Sequence, residues 1–117
     1  MITSGLSVVQ SDGLHEDGWC WPSTRLRAKA IDNGSEIRVG IWVNAEVGLD
    51  RAVFTVSSSL GGSKSEFVTF GHPAEISIPV NLQAGDEVDV RVDTSHRALR
   101  GEDARDLSFI MTSCVLM

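Results

Sequence analysis

Glu36-Ile37-Arg38-Val39-Gly40-Ile41-Trp42-Val43-Asn44 decides the fold class. Ile37, Val39, Ile41 and Val43 alternate with Arg38, Gly40 and Trp42, which is the period of two of a strand with one dry face and one wet face. Upstream, Arg25 to Ile31 sets Leu26, Ala28 and Ala30 against Arg25, Arg27 and Lys29. Asp32-Asn33-Gly34 lies between the two runs and predicts a hairpin. The small alanines would let an opposing sheet approach closely.

The same pattern continues towards the C-terminus. Arg51 to Ser58 carries Val53, Phe54 and Val56 and ends in a Ser/Gly loop, and Glu66 to Phe70 is a short strand before His72-Pro73. Glu75 to Leu82 alternates Ile76, Ile78 and Val80, and its Pro79 predicts an edge position, because proline cannot donate to a ladder. Ala84-Gly85-Asp86 forms a turn. Val88, Val90 and Val92 then alternate with Asp89, Arg91 and Asp93, and Leu107 to Leu116 closes the chain after a polar connection from Thr94 to Asp106. No segment has a helical period, and turns recur every 8 to 12 residues or so. The expectation is one all-β domain over residues 1–117, an antiparallel two-sheet sandwich of the jelly-roll kind with seven or eight strands.

Composition limits what such a domain does. The chain has 117 residues, 42% hydrophobic and 22% charged, enough for one core and no second domain. A net charge of −6 with scattered basic residues excludes nucleic acid and anionic membrane as partners. No apolar run approaches the roughly 20 residues that cross a bilayer, and Met1 is not followed by a basic and then apolar leader. The chain therefore reads as cytoplasmic, or as a domain of a larger protein. Cys20 and Cys114 lack zinc-site spacing and read as buried free thiols, a disulfide between them being the alternative if the terminal strands are neighbours.

Chemistry concentrates in two clusters. In Gly13-Leu14-His15-Glu16-Asp17-Gly18-Trp19-Cys20-Trp21, an extended backbone puts Trp19 and Trp21 on one face and Cys20 on the other, with donors and acceptors beside the rings. Indole stacks on the C–H face of a pyranose, and carboxylates or guanidinium groups satisfy its hydroxyls. A core tryptophan with a structural acid is the plainer alternative. The second cluster, Gly101-Glu102-Asp103-Ala104-Arg105-Asp106-Leu107, precedes the last strand, and Arg105 would meet Glu16 if first and last strands are neighbours.

Catalytic signatures are missing. His15, His72 and His96 are far apart, with no HExxH pair, nucleophile elbow or phosphate loop. Glu16 and Asp103 could form an acid and base pair only at a separation the sequence does not fix. The acids at Asp86, Glu87, Asp89, Asp93 and Glu102 to Asp106 lack EF-hand spacing and read as solvated charge, so neither calcium nor a cofactor is expected.

With Gly13, Glu16, Gly18 and Trp19 or Trp21 at one end and Asp103-Ala104-Arg105-Asp106-Leu107 at the other, the chain resembles the small β-sandwich domains attached to bacterial glycosyltransferases and phosphoglycerol transferases. Those open with Gly, Glu, Gly and Trp and close with Asp-x-Arg-x-Leu. The likeness spans nearly the whole chain in layout through short motifs, and the chain departs from the pattern in His15, its second tryptophan and Ser108-Phe109. The resemblance implies a non-catalytic carbohydrate-recognition module, with transfer chemistry in a partner domain. The expected binding residues are His15, Glu16, Trp19, Trp21, Asp103, Arg105 and Asp106. The rival expectation is a structural domain that docks a catalytic neighbour, or forms a homo-oligomer, through the face carrying Trp42, because an exposed Trp is a typical interface anchor.

Overall fold

A computed structural model of the chain describes residues 1–45, 48–97 and 107–117. It is all-β, with nine strands among those residues: β1 (Ile2–Ser4), β2 (Leu6–Leu14), β3 (Trp19–Ala30), β4 (Gly34–Trp42), β5 (Arg51–Ser58), β6 (Ser63–Thr69), β7 (Ala74–Leu82), β8 (Glu87–Thr94) and β9 (Phe109–Leu116). The alternations read from sequence hold. Ile37, Val39 and Ile41 of β4, Leu26, Ala28 and Ala30 of β3, and Val88, Val90 and Val92 of β8 are all buried, while Arg25, Arg27, Lys29 and Arg91 are exposed.

The architecture differs from a sandwich of two separate sheets and seven or eight strands. One hydrogen-bonded path runs β6-β5-β8-β3-β9-β4-β7, with β1 on β9 and β2 on β3, and it curls into a nearly closed barrel. β3 makes this continuity. Trp19 and Cys20 pair with Ile110 and Phe109 of β9, whereas Ser23 to Lys29 pair with β8. Pro22 stands between the two sets and has no N–H to offer either neighbour, so the strand changes partner there. The ends of the path, β6 and β7, meet without a ladder: a Cβ on Gly62 would lie 2.6 Å from the Pro79 carbonyl oxygen. Pro79 thus occupies the edge position that its missing donor predicts.

One local expectation is corrected, and two strands come without a sequence signal. Asp32-Asn33-Gly34 does not close a hairpin, since β3 pairs with β2, β8 and β9, and β4 with β7 and β9. These residues instead cross the end of the barrel, where Asn33 Oδ1 accepts a hydrogen bond from Ala84 N at 2.9 Å. Gly34 is needed for close approach, because a Cβ there would run into the Leu116 side chain. β2 carries no clean period of two, since irregularities between Val8 and Gln10 and between Asp12 and Leu14 break the alternation, and the short β1 is exposed throughout.

β1 pairs with the end of β9 in parallel, and β2 continues from it along β3 in antiparallel. Gly5 makes the step between them at φ +72°, and its backbone packs against Leu116. A side chain there would be strained in the left-handed region, with its Cβ 2.8 Å from the Leu116 carbonyl oxygen. Gly5→Ala should therefore lower stability by about 1–3 kcal/mol, read as a fall in melting temperature.

Both cysteines are buried free thiols on the inner face, and burial pushes Cys20 up to about 11 and Cys114 up to about 12 from a usual 9.0. Below about pH 7.5 folded and unfolded thiols are both protonated, so stability does not depend on them. Above it the unfolded chain releases protons that the fold retains. The thiol contribution to stability should therefore decline from about pH 9 until pH passes the folded values. A thiol reagent at pH 8 should label neither cysteine in the folded protein and both after denaturation.

Candidate functional site

The β2–β3 hairpin turns through His15-Glu16-Asp17-Gly18. Gly18 N donates to His15 O at 3.0 Å and His15 N to Trp19 O at 2.8 Å, and Gly18 adopts φ +89°, the geometry of a three-residue loop with a glycine bulge. Asp17 Oδ1 accepts from Trp19 N at 3.2 Å, fixing the entry to β3. The Asp17 and Gly18 types are those the turn demands. Glu16 is exposed at its tip.

From this turn the strand sends Cys20 inward, fully buried, and Trp19 and Trp21 outward, as the alternation predicts. Trp21 is 45% exposed, and the His15 ring meets it edge-on, with centroids 6.1 Å apart and planes at 72°. His15 Nε2 is shielded from solvent and meets no hydrogen-bonding group among the described residues. Behind Trp21, the buried Thr24 hydroxyl donates to the Trp21 carbonyl at 2.9 Å and locks the bend beside Pro22.

Sequence reasoning separates Trp42 from the other two tryptophans, and the structure brings them together. Ile110 of β9 lies opposite Trp19 on one side and opposite Trp42 on the other. Its neighbours Phe109 and Met111 face the core, so Ile110 and both indoles share the outer face. Each is partly exposed. The row runs Trp19, Ile110, Trp42 across three strands, and Trp42 Nε1 donates to Asn44 Oδ1 at 3.1 Å at its far end. No signal within either local stretch gives this, because it depends on which strands flank β9.

Asp103, Arg105 and Asp106 lie outside the described residues, as does the expected meeting of Arg105 with Glu16. Terminal strands are neighbours in the expected sense, since β1 and the start of β3 both pair with β9. Elsewhere on the outer face, Arg25 meets Asp12, Arg27 meets Asp89 and Arg91 meets Asp93, each at 3.2 Å and each exposed or half-exposed. Two of the acids weighed for calcium, Asp89 and Asp93, are thus engaged by arginine, and no group of three metal-ligating side chains occurs among the described residues. A hollow of about 450 Å³ at the β6–β7 seam is lined by Leu60, Gly61, Gly62, Pro79, Val80 and Asn81, which bring neither ring nor charge. No helix is long and apolar enough to cross a membrane.

The chain matches no family model, and no curated protein is significantly similar to it in sequence. The outer-face row therefore stands on its own geometry.

The three indoles differ in exposure, which gives a direct check on their placement. Trp21→Phe should remove most of the tryptophan emission that acrylamide quenches, and Trp19→Phe or Trp42→Phe much less of it.

Proposed function

We propose that this domain binds a glycan, without transforming it, on the outer face where Trp19, Ile110 and Trp42 form a row beside Trp21 and His15. The observation that supports this most is the row itself. Two indoles stand two strand spacings apart, roughly 10 Å, on a surface reachable by solvent. A pyranose stacks its C–H face on an indole, and a second unit of the same chain reaches the next ring. Polar partners stand at both ends. Glu16 lies at the hairpin tip, and the Asn44 amide, whose oxygen is occupied by Trp42 Nε1, keeps its NH2 group for a hydroxyl. Asp103, Arg105 and Asp106 remain candidate hydroxyl partners on the sequence reading alone.

In this reading the domain is an accessory module of a larger bacterial glycan-processing enzyme, and the chemistry belongs to that enzyme. The free thiols Cys20 and Cys114 suit a reducing compartment, so we place it in the cytoplasm. One observation favours docking of a catalytic neighbour as the second reading: Ile110 at the centre of the row offers only aliphatic surface, which suits a protein side chain as well as a sugar.

A shallow site with a few stacked rings supports roughly −4 to −7 kcal/mol, or about millimolar to ten-micromolar affinity. On a glycan array the wild-type domain should bind a restricted set of sugars. Trp19→Ala, Trp21→Ala and Trp42→Ala, each verified as folded by thermal melt, should lose that binding to different degrees. Absence of binding across a broad array by the folded wild type would move the assignment to docking at Trp42.

A further inference from the structure

The row Trp19, Ile110, Trp42 crosses three adjacent strands, one residue from each. Strands are evenly spaced, so the two indoles stand about 10 Å apart with an aliphatic side chain halfway between them. This order of ring, alkyl group and ring has a period, and a ligand that fills the row needs the same one. A chain of pyranoses joined by equatorial β-1,4 bonds is straight and advances per unit by about one strand spacing. Each unit is turned over relative to the one before, so the first and third show the sheet one face and the second shows it the other. The first and third units then lie on Trp19 and Trp42, and the second sets its C–H groups against Ile110.

We infer that the ligand of this face is a neutral, linear β-1,4-linked glycan of at least three units, lying across β3, β9 and β4; the inference rests on the glycan reading above. Curvature selects the linkage. The outer face of a barrel is convex, so it lies against a straight chain and offers no groove to the coiled chains that α-1,4 bonds produce. Charge selects the neutral class. The row carries no ionisable side chain, Glu16 stands exposed at the turn that leads into Trp19, and the whole chain has a net charge of −6, which repels an acidic glycan. Along β4, Arg38 is engaged by Glu36 at 3.7 Å and Glu75 at 3.6 Å. Both ends of the row are also ordered before a ligand arrives, which lowers the entropic cost of binding. The backbone of Trp19 is held by Asp17 Oδ1 and by His15 N, and the Trp42 indole by Asn44 Oδ1.

Calorimetric titration of the wild-type domain with β-1,4-linked oligomers of glucose, xylose, mannose and N-acetylglucosamine, one to four units long, tests this without a variant. In at least one series affinity should rise about tenfold from two units to three, where the second indole is reached, and much less from three to four. α-1,4-linked glucose oligomers of equal length should show no such step. Trp19→Ala and Trp42→Ala, each shown to be folded by thermal melt, should abolish the step and leave disaccharide affinity within about threefold. Trp21→Ala, off the row, should keep the step. A glycan that binds without a step at three units, a step that survives loss of either ring, or tighter binding of an α-linked or acidic glycan overturns this inference and leaves the glycan reading standing. Binding to no glycan at all overturns both.

Discussion

Everything in this barrel depends on how the two edges of β9 are shared. One edge is taken by β4 along most of its length, from Ile37 opposite Leu116 to Trp42 opposite Ile110. The other is divided between the start of β3 at Phe109 and Ile110 and the parallel β1 at Ser113 to Val115. The last strand thus joins the first, third and fourth, and without it the path from β6 to β7 falls into two pieces. Non-local pairing of this kind is entropically expensive to nucleate, so the strand has to carry strong burial. Phe109, Met111, Cys114 and Leu116 supply it, and Phe109 meets Phe54 edge-on at a centroid distance of 5.1 Å.

A bulge lets β9 do this. Gly40 lies opposite Ser113 and Ile41 opposite Met111, so Thr112 is extra, and the buried parity shifts from Phe109 and Met111 to Cys114 and Leu116. Gly40 accepts the bulge because a Cβ there would collide with the Thr112 and Ser113 hydroxyls. The bulge also leaves Ile110 on the unshifted side of the strand, facing outward between two indoles. The geometry that closes the barrel therefore sets the aromatic row.

This explains which parts of the molecule were legible in the sequence. Which side chains face inward follows from a period of two and needs no knowledge of partners, so β3, β4, β7 and β8 read correctly. Which strands are adjacent is a long-range property. Asp32-Asn33-Gly34 has hairpin composition, yet both flanking strands find better partners elsewhere, and the same residues serve a crossover. Trp19 and Trp21 were visible as a local pair on one face, whereas Trp42 joins them only through Ile110, nearly seventy positions along the chain from it. β2 escaped because its bulges erase the alternation by which strands are recognised, and the three-residue β1 is exposed throughout.

The outer surface also separates into two kinds of chemistry with different physical meaning. Around β3 and β8 it is a lattice of exposed ion pairs, Arg27 with Asp89 and Arg91 with Asp93, each contributing at most about 1 kcal/mol in water. Such pairs keep that face charged and contribute little to holding it together. Around β9 the same outer face carries two indoles and an isoleucine with no ion pair among them. The fold does not need those rings outside, because the core is already filled by Phe54, Phe109 and the aliphatic rows. Partly exposed indoles held in register across three strands add apolar surface to the outside that the stability of the barrel does not explain.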